Sequence, residues 1–183
     1  CRVDMKYAIA DDDENEIANG TYYILNQYSR KYVFCPQPSV GSLVKQWTYG
    51  NIYSQQWVLN KTSDGYYTMY NNATNLYLSV ENNSNQQGAN IVVSDSATSD
   101  GSKWNIEWLY DNVYELSAKC SGLKLCLDPT AYDTHYNSDG VTLSQGNFSA
   151  RYDNRWYFYK VSNDYHISPS FDTGYLDRYL TLN

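Results

Sequence analysis

The chain of 183 residues is long enough to bury one sizeable core, and 42% hydrophobic with 18% charged residues describes a single folded domain. A net charge of −7 with no lysine or arginine cluster excludes nucleic acid and anionic membrane surfaces as partners. No apolar run approaches the ~20 residues that span a bilayer, so no membrane insertion is expected.

Twenty-one tyrosines and five tryptophans supply amphipathic rings that suit a β-rich surface better than an oily helical core. Residues 1–18 carry the acidic run Asp11-Asp12-Asp13-Glu14 and read as a lightly packed lead-in. The chain begins at Cys1 with no apolar leader, as a processed mature protein would; a processed bacterial lipoprotein also shows an N-terminal Cys. Asn19-Gly20-Thr21-Tyr22-Tyr23-Ile24-Leu25 then sets turn residues before β-prone ones, which predicts a strand start. A second strand is expected at Lys31-Tyr32-Val33-Phe34. The unit closes at Gln55-Gln56-Trp57-Val58-Leu59, where a tryptophan ends a polar stretch and opens an apolar one.

The same order returns in Asp64-Gly65-Tyr66-Tyr67-Thr68-Met69, Leu76-Tyr77-Leu78-Ser79-Val80 and Ser102-Lys103-Trp104-Asn105-Ile106. It returns again in Asp111-Asn112-Val113-Tyr114-Glu115-Leu116, Lys124-Leu125-Cys126-Leu127-Asp128 and Asn154-Arg155-Trp156-Tyr157-Phe158. The tryptophans recur at intervals of 47 and 52 residues. Three units of about four short strands follow, at about 19–63, 64–110 and 111–161, and nothing shows sustained helical periodicity. The fold class is therefore all-β. No unit can bury its apolar face alone, so the three must close on a common core, which also removes exposed sheet edges. Trp57, Trp104 and Trp156 are expected to be pegs in that core. Residues 162–183 hold Tyr165, Ile167, Phe171, Tyr175, Leu176, Tyr179, Leu180 and Leu182, and this tail is expected to pack on the domain, on a protein partner or in a homo-oligomer.

Four cysteines with no C-x-x-C and only two histidines favour disulfides over a metal site. Among the three connectivities, Cys120–Cys126 would close a short loop and Cys1–Cys35 would pin the N-terminus. Asn19, Asn60, Asn72, Asn82 and Asn147 each begin an Asn-x-Ser/Thr glycosylation acceptor. A secreted, extracellular glycoprotein is the expectation.

From about Ala18 to Val161, three units closed on a Gln-x-Trp pattern resemble the ricin-B-type β-trefoil lectins. The resemblance implies a β-trefoil, a six-stranded barrel capped by hairpins, with up to one shallow sugar site per repeat. A sugar offers an apolar C–H face and an array of hydroxyls, so each site needs a stacking ring beside a carboxylate or amide. In the family these are an Asp just after the Val/Leu strand, an aromatic ten residues before the tryptophan, and an Asn beside the Gln. Repeat one supplies Trp47 with Gln46 beside it, but has Phe34 for the Asp and Ser54 for the Asn. Repeat two has Ser79, Ser94 and Ser102 at the key positions and is the least favoured. Repeat three offers Asp128, Asp153 and Asn154, but Gly146 takes the aromatic position, so Phe148, Tyr132 or Tyr136 would have to replace the ring. The candidate carbohydrate-binding residues are thus Asp128, Asn154, Asp153, Phe148, Trp47 and Gln46. Glycans of galactose or N-acetylgalactosamine type are the expected partners, and no cofactor is implied.

Simpler roles compete with these. Gln55 reads as a buried amide satisfying turn backbone, and Asp128 before Pro129 as a turn organiser. Trp47 lies in the polar surround Lys45-Gln46-Trp47-Thr48-Tyr49-Gly50, which favours exposure. His135 and His166 lack a nucleophile setting, and neither paired carboxylates nor a glycine-rich phosphate loop accompanies them, so a non-catalytic chain is expected. The apolar tail favours a second reading: a trefoil with degenerate sugar sites that binds protein, as a structural subunit or protease inhibitor.

Overall fold

In the computed structural model, which describes residues 15–131, 136–147 and 152–161, strands fall in three sets of four. The first set is β1 (Gly20–Asn26), β2 (Tyr32–Phe34), β3 (Lys45–Trp47) and β4 (Gln56–Lys61). The second is β5 (Tyr67–Asn71), β6 (Tyr77–Val80), β7 (Ile91–Ser94) and β8 (Trp104–Tyr110). The third is β9 (Val113–Ala118), β10 (Lys124–Leu127), β11 (Leu143–Gly146) and β12 (Trp156–Lys160).

The first and last strand of each set form a ring. β1 pairs β4, β4 pairs β5, β5 pairs β8, β8 pairs β9, β9 pairs β12, and β12 returns to β1, every pair antiparallel. Closure leaves the barrel with no exposed edge. The inner strands make the hairpins β2–β3, β6–β7 and β10–β11. Single bridges at Leu43–Val92, Lys45–Thr142 and Asn90–Ser144 join these hairpins into a cap. Strand alternation sorts the side chains: Tyr22 and Ile24 of β1 enter the main core, while Tyr23 and Leu25 pack outside with Tyr32.

Trp57, Trp104 and Trp156 are fully buried in the main core. Each indole Nε1 donates at 3.0 Å to one carbonyl, that of Val33, Leu78 and Leu125 respectively. The burial therefore leaves no indole N–H unsatisfied. These bonds also align the repeats, because they make Val33, Leu78 and Leu125 equivalent. A second repeated device is the buried amide of Gln46 and Gln145. Gln46 Nε2 donates to the Tyr136 and Ser138 carbonyls and its Oε1 accepts from Ser29. Gln145 does the same with the Ser84 and Gln86 carbonyls and Ser121. At the corresponding place repeat two has Val93, paired with Leu78.

Two expectations are corrected. The lead-in is anchored before its expected end, since Ile17 is buried in the core and its carbonyl accepts from the Tyr67 hydroxyl at 3.0 Å. Cys120 and Cys126 are not joined. Lys124 pairs with Ser117, so Cys126 runs down β10 away from the turn that holds Cys120. Its thiol packs against Ser144 in the core, whereas Cys120 points to the Ser84 carbonyl. Cys35 is buried with its thiol against the Gln37 carbonyl; its expected partner Cys1, like residues 162–183, lies outside the described residues.

Candidate functional site

On β3 the pairing of Val33 with Gln46 and of Tyr32 with Trp47 turns Gln46 inward and Trp47 outward. Gln46 is fully buried with its amide committed to loop carbonyls, so no atom of it faces a ligand. Trp47 is 42% exposed and leans on Phe34, the ring centroids 5.5 Å apart and tilted by 50°. A turn from repeat three flanks it. Thr48 donates to Asp139 Oδ1 from its N–H at 2.7 Å and its hydroxyl at 2.9 Å, and Lys31 Nζ stands 2.8 Å from the same oxygen. Gly140, at φ +88°, lies beside the indole, where a Cβ would sit 3.6 Å from Trp47 Cζ3. Burial alone would raise the Asp139 carboxyl, but bonds from Lys31 and Thr48 outweigh it and hold it below the ordinary carboxylate range. An exposed ring thus stands beside a fixed anion, an ammonium and a hydroxyl.

Repeat three places its candidates differently. Matching Leu125 to Val33 and Leu78 by their indole bonds puts Cys126, not Asp128, level with Phe34 and Ser79. Asp128 is level with Pro36 and Glu81. Its Oδ1 accepts from the Thr130 N–H at 2.9 Å and hydroxyl at 2.8 Å, and its Oδ2 from Thr142 at 3.1 Å, so both oxygens organise the Pro129 turn. Asp153 is buried; its carboxylate accepts from the Tyr136 hydroxyl and its carbonyl from Asn26 Nδ2. Asn154 is also buried, and its Oδ1 has no hydrogen-bond partner among the described residues. Tyr136 packs edge-on against Tyr28 and offers no open face, while Phe148 and Tyr132 lie outside the described residues. The carboxylate and amides of repeat three are therefore not gathered at one surface.

Repeat two holds concavities that its motifs did not signal. A cleft of about 340 Å³ is lined by Ser79, Ser94, Ser96, Ser99, Asn82 and Asn83, with Val40 and Gly41 of repeat one opposite. Small residues at positions 79 and 94 leave open the space that larger side chains would fill. A second, more open concavity of about 520 Å³ runs from Glu81 to Asn90. Asn82 and Asn83 sit at φ 55° and 50°, a left-handed conformation that Asn tolerates. Asn83 Oδ1 accepts from the Gly101 N–H at 2.7 Å, which ties the loop to the turn before Trp104. The signal available in the sequence was the tandem Asn82-Asn83 with Gly101.

Among the described residues no three His, Cys, Asp or Glu side chains are grouped to hold a metal ion. A closed six-stranded barrel with a three-hairpin cap and three equivalent indole pegs is a β-trefoil. The chain belongs to the ricin-type beta-trefoil lectin domain-like family, which it matches over residues 14–94 and 53–145. No curated protein matches it. Among solved structures it is similar to the designed threefold-symmetric protein ThreeFoil, with 28% identity over 78% of this chain and 99% of that one, at a TM-score of 0.71. It is also similar to an exo-beta-1,3-galactanase from Clostridium thermocellum, with 21% identity over 78% of this chain at a TM-score of 0.71, but spans only 30% of that protein's length. The ricin B-like lectin of Macrolepiota procera, solved with lactose, is 16% identical over 80% of this chain and 99% of that one, at a TM-score of 0.66. In these last two the likeness is one of fold.

Proposed function

We propose that the chain is a non-catalytic carbohydrate-binding module that stacks a galactose-type sugar on Trp47. The observation that carries this reading is the 42% exposure of Trp47, the ring at the position where the family places its sugar-stacking aromatic, beside Asp139, Lys31 and Thr48. The indole would take the apolar C–H face of the sugar, and the Asp139 carboxylate and Lys31 ammonium would meet its hydroxyls. These neighbours, supplied partly by repeat three, stand in for the Asp that Phe34 replaces. A single shallow site of this kind binds at about 1 mM, or about 4 kcal/mol, so useful retention needs several copies.

A glycan array followed by titration with galactose, N-acetylgalactosamine and lactose tests this reading. Trp47→Ala is expected to weaken binding at least about tenfold without changing the fold. Binding that survives this substitution unchanged, or an array with no binding at all, rejects it. Passage through a secretory route belongs to the same reading and is supported by exposure of all five acceptors, Asn19, Asn60, Asn72, Asn82 and Asn147. A mass decrease on glycosidase treatment is the expected readout.

A second reading, a trefoil that binds protein as a structural subunit or protease inhibitor, is favoured by Phe34, Ser79 and Cys126 standing where the family carries its carboxylate. Light scattering of the full chain beside a truncation after Val161 separates it. Self-association lost on truncation, with no glycan bound, favours this second reading.

A further inference from the structure

Each core tryptophan pairs with a tyrosine on the neighbouring strand: Trp57 with Tyr22, Trp104 with Tyr67 and Trp156 with Tyr114. These tyrosines, on β1, β5 and β9, are therefore equivalent, and they stand at the barrel end away from the hairpin cap, where the lead-in enters. Burial pushes the Tyr22 and Tyr67 hydroxyls up, and the nearby Tyr114 hydroxyl adds to both, so the three converge. The lead-in closes two of them. The Tyr22 hydroxyl donates to the Ala18 carbonyl at 2.8 Å, and that of Tyr67 lies 3.0 Å from both Glu16 Oε1 and the Ile17 carbonyl. Tyr114 packs edge-on against Phe158, the ring centroids 5.4 Å apart, and its hydroxyl has no hydrogen-bond partner among the described residues.

Beside Tyr114 stands Trp108, its cross-strand partner on β8. The β8–β9 hairpin outruns the barrel, so on the face that begins with buried Trp104, Ile106 is half-buried and Trp108 is 38% exposed. The tip of this hairpin is tied down. Trp108 Nε1 donates to the Asp111 carbonyl at 2.9 Å, and Asn112 Nδ2 donates to the Phe158 carbonyl at 2.9 Å, which pins the turn to β12. With its N–H satisfied inside the hairpin, the indole offers a ligand only its ring. The Tyr114 hydroxyl on the same face and the exposed carboxylate of Asp111 at the turn supply hydrogen bonds beside it. A ring, a hydroxyl and a carboxylate suit the apolar face and hydroxyls of a sugar, while the carboxylate and the net charge of −7 oppose an acidic one.

We propose that Trp108, Tyr114 and Asp111 form a second saccharide site, for a neutral sugar, at the barrel end opposite Trp47. It rests on the carbohydrate-binding reading but not on Trp47 itself. Because Trp47 lies in the cap, one chain then bridges two glycans without oligomerising, and gains retention from two shallow sites on one molecule. The five indole N–H signals of the full chain, followed by NMR during titration with galactose and with lactose, test this. The signals of Trp47 and Trp108 are expected to move while those of the three buried tryptophans stay. Trp108→Ala leaves the Trp47 response in place, and Trp47→Ala leaves that of Trp108. Tyr114→Phe weakens binding at Trp108 by about threefold or more and leaves Trp47 unchanged. The unaltered chain, as a monomer, precipitates a galactose-bearing polymer, and either tryptophan substitution abolishes this. A Trp108 signal that stays still while Trp47 responds overturns the second site and leaves the first standing. Response of Trp108 alone supports it and rejects the Trp47 reading. Stillness of both signals with every sugar rejects both.

Discussion

An indole nitrogen and a carbonyl 3.0 Å apart, three times over, set the scale on which the repeats are built. Trp104→Phe keeps most of the apolar volume but strands the Leu78 carbonyl inside the core. Loss of about 2–3 kcal/mol is expected, from an unsatisfied buried acceptor plus a small cavity, and denaturant unfolding measures it. The tryptophans were legible in the sequence because an apolar strand follows each one. The second residue role, that of Gln46, was not. A glutamine beside an exposed tryptophan reads as a ligand contact, yet strand alternation sends it to the opposite face, where it holds two loop carbonyls.

Hairpins are where sequence reasoning and structure part. In repeat three, Leu127-Asp128 was matched to the end of β10, whereas the indole bond from Trp156 to Leu125 sets the register two residues earlier. A slip of two residues preserves the inward–outward alternation, so nothing in the hydrophobic pattern could expose it. Asp153 and Asn154 were misread for a related reason. They sit in the short 3-10 turn Tyr152–Asn154, which tucks under the barrel as Tyr53–Gln55 and Asp100–Ser102 do. Gly101 in the second of these turns tests that packing. A Cβ there would lie 2.5 Å from Asn83 Oδ1 and 3.0 Å from the Val80 carbonyl, so the Asn83 side chain must swing away and give up its bond from the Gly101 N–H. Gly101→Ala is expected to cost about 1–3 kcal/mol and reshape the repeat-two cleft, seen as a lower melting temperature and shifted NMR signals from Ser79 and Ser94.

Across the whole molecule the fold was legible as soon as the three units were seen, because only closure could bury three one-sided sheets. The outer tyrosine layer was not, since the fold gathers rings that are distant in sequence, three from repeat one with Tyr157 and Tyr159 of repeat three packed against them. Tyr23, Tyr32 and Tyr49 pack together, with ring centroids 5.3–5.9 Å apart. Burial, with Tyr23 as neighbour, pushes Tyr49 up to about 12, and burial pushes Tyr32 higher still. Their folded values lie above the unfolded value near 10, so this contribution is fully present below pH 10 and is lost as pH rises through the folded values. Stability should fall from about pH 10 upward, with phenolate absorbance rising alongside unfolding; early, non-cooperative ionisation of every tyrosine contradicts this. At the acid end, Asp139 is depressed, burial being outweighed by its bonds from Lys31 and Thr48. The Lys31–Asp139 contribution is therefore present above about pH 4 and lost as pH falls through the lower folded value, with a loss below about 1 kcal/mol because the pair is partly exposed.

The β1–β12 seam also governs how the chain reaches this state. Tyr22 pairs with Lys160, so the ring closes only when strands from opposite ends of the domain meet. A growing chain must hold two complete repeats with unpaired barrel edges until Trp156 to Lys160 emerges. Such distant pairing puts acquisition of the native barrel on a time scale of milliseconds to seconds, far slower than for a helical bundle of equal size. Whatever shields β1 during that interval limits the yield of folded protein.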